Sequence, residues 1–220
     1  MKRVVVPEWL DSDAGTPAEI AGALADLLRI HRWLGGVSTT EALVCRVAER
    51  TRIREFSLLD AASGSGELNA LVARRLARRG IRMHYTLLDR AASHLNGAGN
   101  AVVGDALAMP FPDGAFDLVT SALFVHHLDP PDVLRFANES LRVARKAVLL
   151  HDIRRARTHL MAAYAGRPLF RSRITRHDAT ASVRRAYTAP ELCSILERSR
   201  ASDAEFLTHP FFRMGAVLWK

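Results

Sequence analysis

Cysteine is scarce: Cys45 and Cys193 are the only two in 220 residues. A pair lying in helix-like segments, with no zinc-type spacing around it, excludes a disulfide framework and a sequence-local metal site. Both read as buried free thiols of a reducing compartment, which predicts a cytoplasmic protein. Long apolar runs are also missing. None approaches the roughly 18 residues of a membrane span, so no membrane partner is expected. The opening MKRVVVPEWLDSD meets an acid at Glu8, too early for a secretory signal. Internal repeats and low-complexity runs are absent. No aromatics alternate with basic residues in the way that stacks nucleic-acid bases.

Positive charge, by contrast, is abundant. The net charge is +8, which raises the question of a nucleic-acid partner. The cations are mostly arginines, and they are scattered. Arg74, Arg75, Arg78 and Arg79 recur at i, i+1, i+4 and i+5, the pattern of a solvated helix face. Others fall at Arg154, Arg155 and Arg157, and at Arg171, Arg173 and Arg176. This distribution argues against nucleic acid and for a solvated basic surface. With apolar residues at 49% of the total, the chain suits one α/β domain with a sizeable core, as a monomer or homodimer.

Residues 56–66, FSLLDAASGSG, carry the strongest local signal. A strand-length apolar run ends in Asp60. Small residues follow, then Gly64-Ser65-Gly66, and helical spacing begins at once in ELNALVARRLARRG. Strand, glycine turn and helix bring backbone N–H groups close to a ligand. A second apolar run, MHYTLLDR (83–90), ends in Asp89, where a carboxylate can accept both hydroxyls of a ribose. A third short strand, AVV (101–103), ends in Gly104-Asp105-Ala106. Pro110, Pro112 and Asp113-Gly114 then mark a turn before a fourth strand opening at Phe116. KAVLLHDI (146–153) reads as a fifth strand. APELCSILERSR (189–200) reads as a helix, and strands near 203–208 and 212–219 close the chain.

Ahead of this half, residues 7–50 read as helical. Thr16-Pro17 is a helix start. Ile20, Leu24, Leu27, Leu28 and Leu34 keep helical spacing, Gly35-Gly36 stops the helix, and a second helix covers 38–50. Residues 154–188 read as irregular or helical. The chain thus divides into an N-terminal helical cap (1–50) and a main domain (51–220) with a substrate-side insertion at 154–188.

Taken together, LLDAASGSG, LLD and GDALAMPFPDGAFDLVTSALFVHHL resemble the successive motifs of class I S-adenosylmethionine-dependent methyltransferases. The likeness covers roughly residues 55–150 and is greatest to the small-molecule group that includes ubiquinone/menaquinone-type C-methyltransferases. The ends of the chain, EIAGALADLLRIHRWLGG, HDIRRAR, SVRRAYTAPEL and HPFFRMGAVLWK, resemble bacterial methyltransferases found beside type III polyketide synthases. The resemblance implies an α/β, Rossmann-like, seven-stranded and mostly parallel sheet whose last strand is antiparallel, with helices on both faces. It implies S-adenosylmethionine as cofactor and a phenolic, quinone or polyketide-like acceptor in secondary metabolism.

It also implies roles. Asp60 orients the glycine turn, and Gly64 and Gly66 permit close backbone contact. Asp89, with Arg90 beside it, holds the ribose. Asp105 accepts from the adenine amine while the N–H of Ala106 donates to a ring nitrogen, with Gly104 before them. Ser121 lies on the strand facing the cofactor, and Arg32, on the covering helix, pairs with the cofactor carboxylate. Ala62 stands where the family has glycine, an exchange tolerable if its φ is negative. Methyl transfer from a sulfonium is a direct displacement that needs alignment and exclusion of water, and neither a metal nor a covalent nucleophile. His126 or His127, after the fourth strand, is a candidate neutral base; His151-Asp152 and His177-Asp178 are further constellations near the acceptor. Arg154, Arg155, Arg184 and Arg185 can hold an acidic acceptor, and Tyr164, Phe170 and Tyr187 can line its pocket. Two alternatives stay open. One is a nucleic-acid or protein methyltransferase, against which SALFVHHL lacks an Asn/Asp-Pro-Pro-aromatic tetrad. The other is a cofactor-binding relative without turnover.

Overall fold

The computed structural model describes residues 1–12, 14–95 and 100–220. Among the described residues seven strands form one sheet: β1 (Glu55–Ala61), β2 (Arg82–Asp89), β3 (Ala101–Val103), β4 (Phe116–Ala122), β5 (Ala144–Ile153), β6 (Asp203–His209) and β7 (Arg213–Trp219). Their order is β3-β2-β1-β4-β5-β7-β6. β1 to β5 are mutually parallel, and β7 runs antiparallel to both β5 and β6. The mostly parallel sheet with an antiparallel last strand is the architecture expected from the motifs.

The helices are α1 (Pro17–Trp33), α2 (Gly36–Thr51), α3 (Glu67–Ala77), α4 (Pro130–Val143), α5 (Arg157–Gly166), α6 (Arg173–Arg185) and α7 (Ala189–Leu196). Strand side chains alternate between faces, and both faces are apolar, so both must be covered. Leu58, Leu149 and Val217 join Leu43 and Val47 of α2 and Val72 and Leu76 of α3 in one core layer. Their neighbours Leu59, Leu150 and Leu218 join Phe136 of α4 and Leu192 of α7 in the other. Among the described residues no helix is long and apolar enough to cross a membrane.

The start of the chain departs from the helical expectation. Helix begins only at Pro17, where Thr16 and Glu19 form a reciprocal capping box. Residues 1–12, apart from one 3₁₀ turn at Leu10–Ser12, form an irregular strap. The strap lies against α6: Val4 donates to the carbonyl of Arg184, and the N–H groups of Trp9 and Leu10 donate to the Asp178 carboxylate. Tertiary partners thus take the backbone groups that a helix would have used. Gly35, at φ +81°, reverses the chain so that α2 starts at Gly36, two residues before the sequence suggested.

Candidate active site

A cavity of about 600 Å³ opens at the carboxyl ends of the parallel strands. That volume lies within the range of ligand pockets. Its centre is the β1/β4 boundary, where connections leave the sheet in opposite directions; open α/β sheets bind ligands at such a point. α1 and α6 roof it with Leu24, Leu27, His31 and Ile174, and the N-terminal strap adds Glu8 and Asp11.

One wall comes from the turns after β1, β2 and β3. Ala62, Ser63 and Gly64 follow β1, Asp89 and Arg90 end β2, and Gly104, Asp105 and Ala106 follow β3. Gly64 sits at φ +54°, and a Cβ placed there would meet nothing within 4 Å, so its backbone faces open space. A Cβ at Gly104 would come within 2.9 Å of a Leu88 methyl and 3.2 Å of the Pro110 ring, so a larger residue would have to displace Leu88. Asp89 is 8% exposed. Its Oδ2 accepts from the N–H of Gly64 at 2.8 Å and its Oδ1 from Ala91 at 2.9 Å. Each carboxylate oxygen has two lone-pair sites, so a pair of vicinal hydroxyls can still be accepted. Asp105 takes the N–H of Leu107 at 2.8 Å and also borders the cavity. An acid, two glycines and a run of backbone amides around one recess fit a nucleoside-bearing cofactor.

Several residues expected at this wall lie elsewhere. Ala62 borders the cavity, but its φ is +58° rather than negative. The left-handed conformation explains why glycine suits the position, and alanine holds it at a cost. Asp60 lies beneath the cavity and accepts from Asn69 of α3. Burial pushes its carboxyl up to about 7, against the Asn69 hydrogen bond and with help from the Asp89 charge. Gly66, at φ +69°, makes room for Leu87 and does not reach the cavity. Ser121 is buried and donates to the carbonyl of Ala61 at 2.8 Å, which ties β4 to β1. Arg32 is exposed, because the cavity takes the Leu27, Ile30, His31 and Leu34 face of α1 instead. Arg90 borders the cavity and donates to the carbonyl of Asp11 at 2.9 Å.

The opposite wall carries the histidines. His126 and His127 lie on a 3₁₀ turn after β4, so they do not alternate as on a strand. His126 is 2% exposed. Its Nδ1 is 2.7 Å from Asp152 Oδ1, and its N–H donates to Oδ2 at 2.9 Å. Its Nε2 faces Glu8 Oε1 at 3.4 Å. Burial opposes the ring's charge, but Asp152 and Glu8 outweigh it and push the pKa up to about 10. His126 by itself is therefore no neutral base at neutral pH. Asp11 lies 2.9 Å from Nδ1 of His127.

His151 is fully buried between Thr40 and Arg213. Burial and the Arg213 charge hold it well below the usual histidine range, and only its neighbour Asp152 reaches the histidine wall. His177 stacks on Trp9 at 4.2 Å and bonds Asp178. Of the candidate acceptor residues, Arg185 and Phe170 border the cavity. Arg155 is held by the Met1 and Ala186 carbonyls and Glu191. Arg184 donates to Tyr164, Arg154 lies over Phe212, and Tyr187 bonds the carbonyl of Leu128.

Sequence reasoning missed Arg213 and Glu8. Arg213 opens an otherwise apolar strand, RMGAVLW, which was the available signal. It is 2% exposed, borders the cavity and donates from Nε to the carbonyl of Leu34 at 3.0 Å. Burial lowers its pKa to about 10, so it remains a cation at neutral pH. The same charge, after burial itself, holds His31 down to about 3. Phe211 and Phe212, at φ +58° and +57°, form the turn that presents Arg213. Glu8 lies far from the histidines along the chain, so no local pattern marked it.

Residues 59–150 match the family described as Methyltransferase domain. The chain is 35% identical over 104 residues to the ubiquinone/menaquinone biosynthesis C-methyltransferase UbiE of Methylobacterium nodulans (strain LMG 21967 / CNCM I-2342 / ORS 2060), over 42% of this chain and 39% of that one. It is 50% identical over 54 residues to ajmaline N-methyltransferase of Rauvolfia serpentina, over 24% of this chain and 18% of that one. The matches thus span less than two fifths of the length of these relatives. The plantazolicin methyltransferase BamL, solved with a triazolic desmethylPZN analog and SAH, shares the fold at TM-score 0.65 and 12% identity, over 91% of both chains. A SAM-dependent methyltransferase from Aquifex aeolicus shares it at TM-score 0.56 and 17% identity, over 79% of this chain and 87% of that one.

Proposed function

We propose that this chain, folded as class I S-adenosylmethionine-dependent methyltransferases are, binds that cofactor and methylates an oxygen or carbon of a small acidic acceptor. The observation that carries the reading is the recess at the β1/β4 boundary, where the Asp89 carboxylate, the Gly64 turn and the Asp105 loop converge. When bound, the cofactor supplies an electrophilic methyl group on a sulfonium.

Asp89 accepts the ribose hydroxyls, and the backbone of Gly64 lets the ligand approach. Asp105 and the N–H of Ala106 meet the base. The apolar roof of Leu24, Leu27 and Ile174 excludes water, which strengthens every charge interaction inside. Arg213, a buried cation on the β5/β7 side, holds an anionic group of the acceptor. A phenolate, quinol or polyketide-like carboxylate has this chemistry. His126 singly is not the base that removes the acceptor's proton, because Asp152 and Glu8 keep its ring charged. The free thiols Cys45 and Cys193 accord with a cytoplasmic setting.

Calorimetric titration with S-adenosylmethionine and S-adenosylhomocysteine tests the cofactor assignment, and absence of binding to either overturns it. A screen of phenolic and carboxylic acceptors for methyl incorporation follows. Tight cofactor binding with no turnover on any acceptor would instead favour a non-catalytic relative.

A further inference from the structure

Three ligand atoms converge at the histidine wall of the cavity. His126, His127 and Glu8 each offer one ligand atom, and the three lie within 4.8 Å of one another; the Glu8 carboxylate faces Nε2 of His126 at 3.4 Å and Nε2 of His127 at 3.9 Å. Both imidazoles turn their other nitrogen to an acid: Asp152 is 2.7 Å from Nδ1 of His126, and Asp11 is 2.9 Å from Nδ1 of His127. Carboxylate, histidine and an inward-facing Nε2 is the arrangement that orients metal-binding imidazoles. Here it occurs twice around one point.

The inner atoms are poorly satisfied. Glu8 Oε1 and His126 Nε2 are buried without a hydrogen bond of good geometry, and they face each other as an ion pair at 3.4 Å. Their residues are 7% and 2% exposed, and a buried polar atom without a well-formed hydrogen bond is costly. A metal cation shared between the two atoms would take the place of the imidazolium proton in that pair. In a tetrahedral site with bonds of about 2.0–2.1 Å, neighbouring ligand atoms lie about 3.3–3.4 Å apart. The His126 Nε2–Glu8 Oε1 distance already has that length, and the other oxygen of the same carboxylate, Oε2, lies 3.9 Å from Nε2 of His127.

We propose that Glu8, His126 and His127 form a site for one divalent first-row transition ion of the zinc type, with its remaining coordination position open to the cavity. Two imidazoles and one carboxylate suit such an ion better than magnesium or calcium, which take all-oxygen shells. Three protein ligands with one open position is the pattern of catalytic rather than structural zinc. The open position takes an oxygen of the acceptor, and the ion then draws charge onto that oxygen as a Lewis acid. This consequence for catalysis rests on the methyl-transfer reading; the metal site does not.

The test reads metal directly. Chelator-treated full-length protein is titrated with Co²⁺, followed by its visible absorption and by calorimetry, and then with Zn²⁺ in competition. One equivalent should bind with an apparent Kd of about 1 µM or tighter, and Zn²⁺ should displace Co²⁺. Glu8→Gln and His127→Gln should each weaken binding by about tenfold or more. His84→Gln, at an exposed histidine paired with Glu55 away from the cavity, should leave it unchanged. Glu8→Gln is isosteric on the irregular strap, and His127→Gln gives an independent reading. Lack of stoichiometric binding by the unsubstituted protein overturns the site, as does equal binding by both variants. Metal binding without methyl transfer would uphold the site and count against the proposed reaction.

Discussion

The carboxylate of Asp89 accepts the N–H of Gly64 at 2.8 Å, so the acid at the end of β2 also holds the glycine turn after β1. Ligand wall and loop scaffold are one residue. Asp89→Ala should therefore weaken affinity for S-adenosylhomocysteine and also lower stability, by about 1–3 kcal/mol for the lost charge-assisted hydrogen bonds. Asp89→Asn, which keeps an acceptor oxygen, should recover part of the stability and less of the affinity. Calorimetry and thermal unfolding on the same samples separate the two. Unchanged affinity in the alanine variant would remove Asp89 from the ligand wall.

Ala62 holds φ +58° without being glycine. Ala62→Gly should relieve that conformation and raise stability by about 0.5–1 kcal/mol, after the extra entropy of glycine in the unfolded chain is set against it. Cofactor affinity should stay or improve. Denaturant unfolding measures the first effect. A less stable glycine variant would mean that the alanine methyl packs usefully.

Asp60 makes stability depend on pH in a direction opposite to most carboxylates. Burial raises its folded pKa to about 7, above the ordinary 3.8. The folded state therefore binds the proton more tightly, and the contribution is fully present below about pH 4 and lost as pH rises towards 7. The slope can reach about 1.4 kcal/mol per pH unit. Asp60→Asn keeps an acceptor for Asn69 and should flatten this slope. Unfolding midpoints of both proteins between pH 4 and 8 check it; parallel curves would show that Asp60 ionises normally.

Arg213 is a buried cation whose guanidinium bonds the carbonyl of Leu34 and approaches a neutral histidine. Burying a charge without a bonded carboxylate costs stability. Arg213→Met should change stability little and should raise KM for an acidic acceptor about tenfold or more, with kcat less affected. Steady-state kinetics on the acceptor found by the screen decides. An unchanged KM would place the acceptor's anion elsewhere.

Much of the fold was legible because it rests on local pattern. Apolar runs ending in Asp60 and Asp89, and the glycine turn leading into α3, needed only period and turn chemistry. The last two strands were readable for the same reason. The strap at 1–12 was not. Its backbone is satisfied by α6 through Asp178, a partner about 170 residues away that no window can include.

The candidate site divides along the same line. The sequence alone determined the order of strands and turns, and with it the wall of Asp89, Gly64, Gly104 and Asp105, since these end or follow the first three strands. Tertiary structure decided which side chains face the cavity. It turned Arg32 outward through the helical phase of α1, drew Asp60 and Ser121 into internal hydrogen bonds, and buried Arg213 behind the Phe211–Phe212 turn. It also brought Glu8 of the strap against His126 and His127, through the docking of the chain's first residues on α6. A residue's place at a strand end follows from local pattern, whereas the direction its side chain takes and the convergence of distant charges follow only from packing.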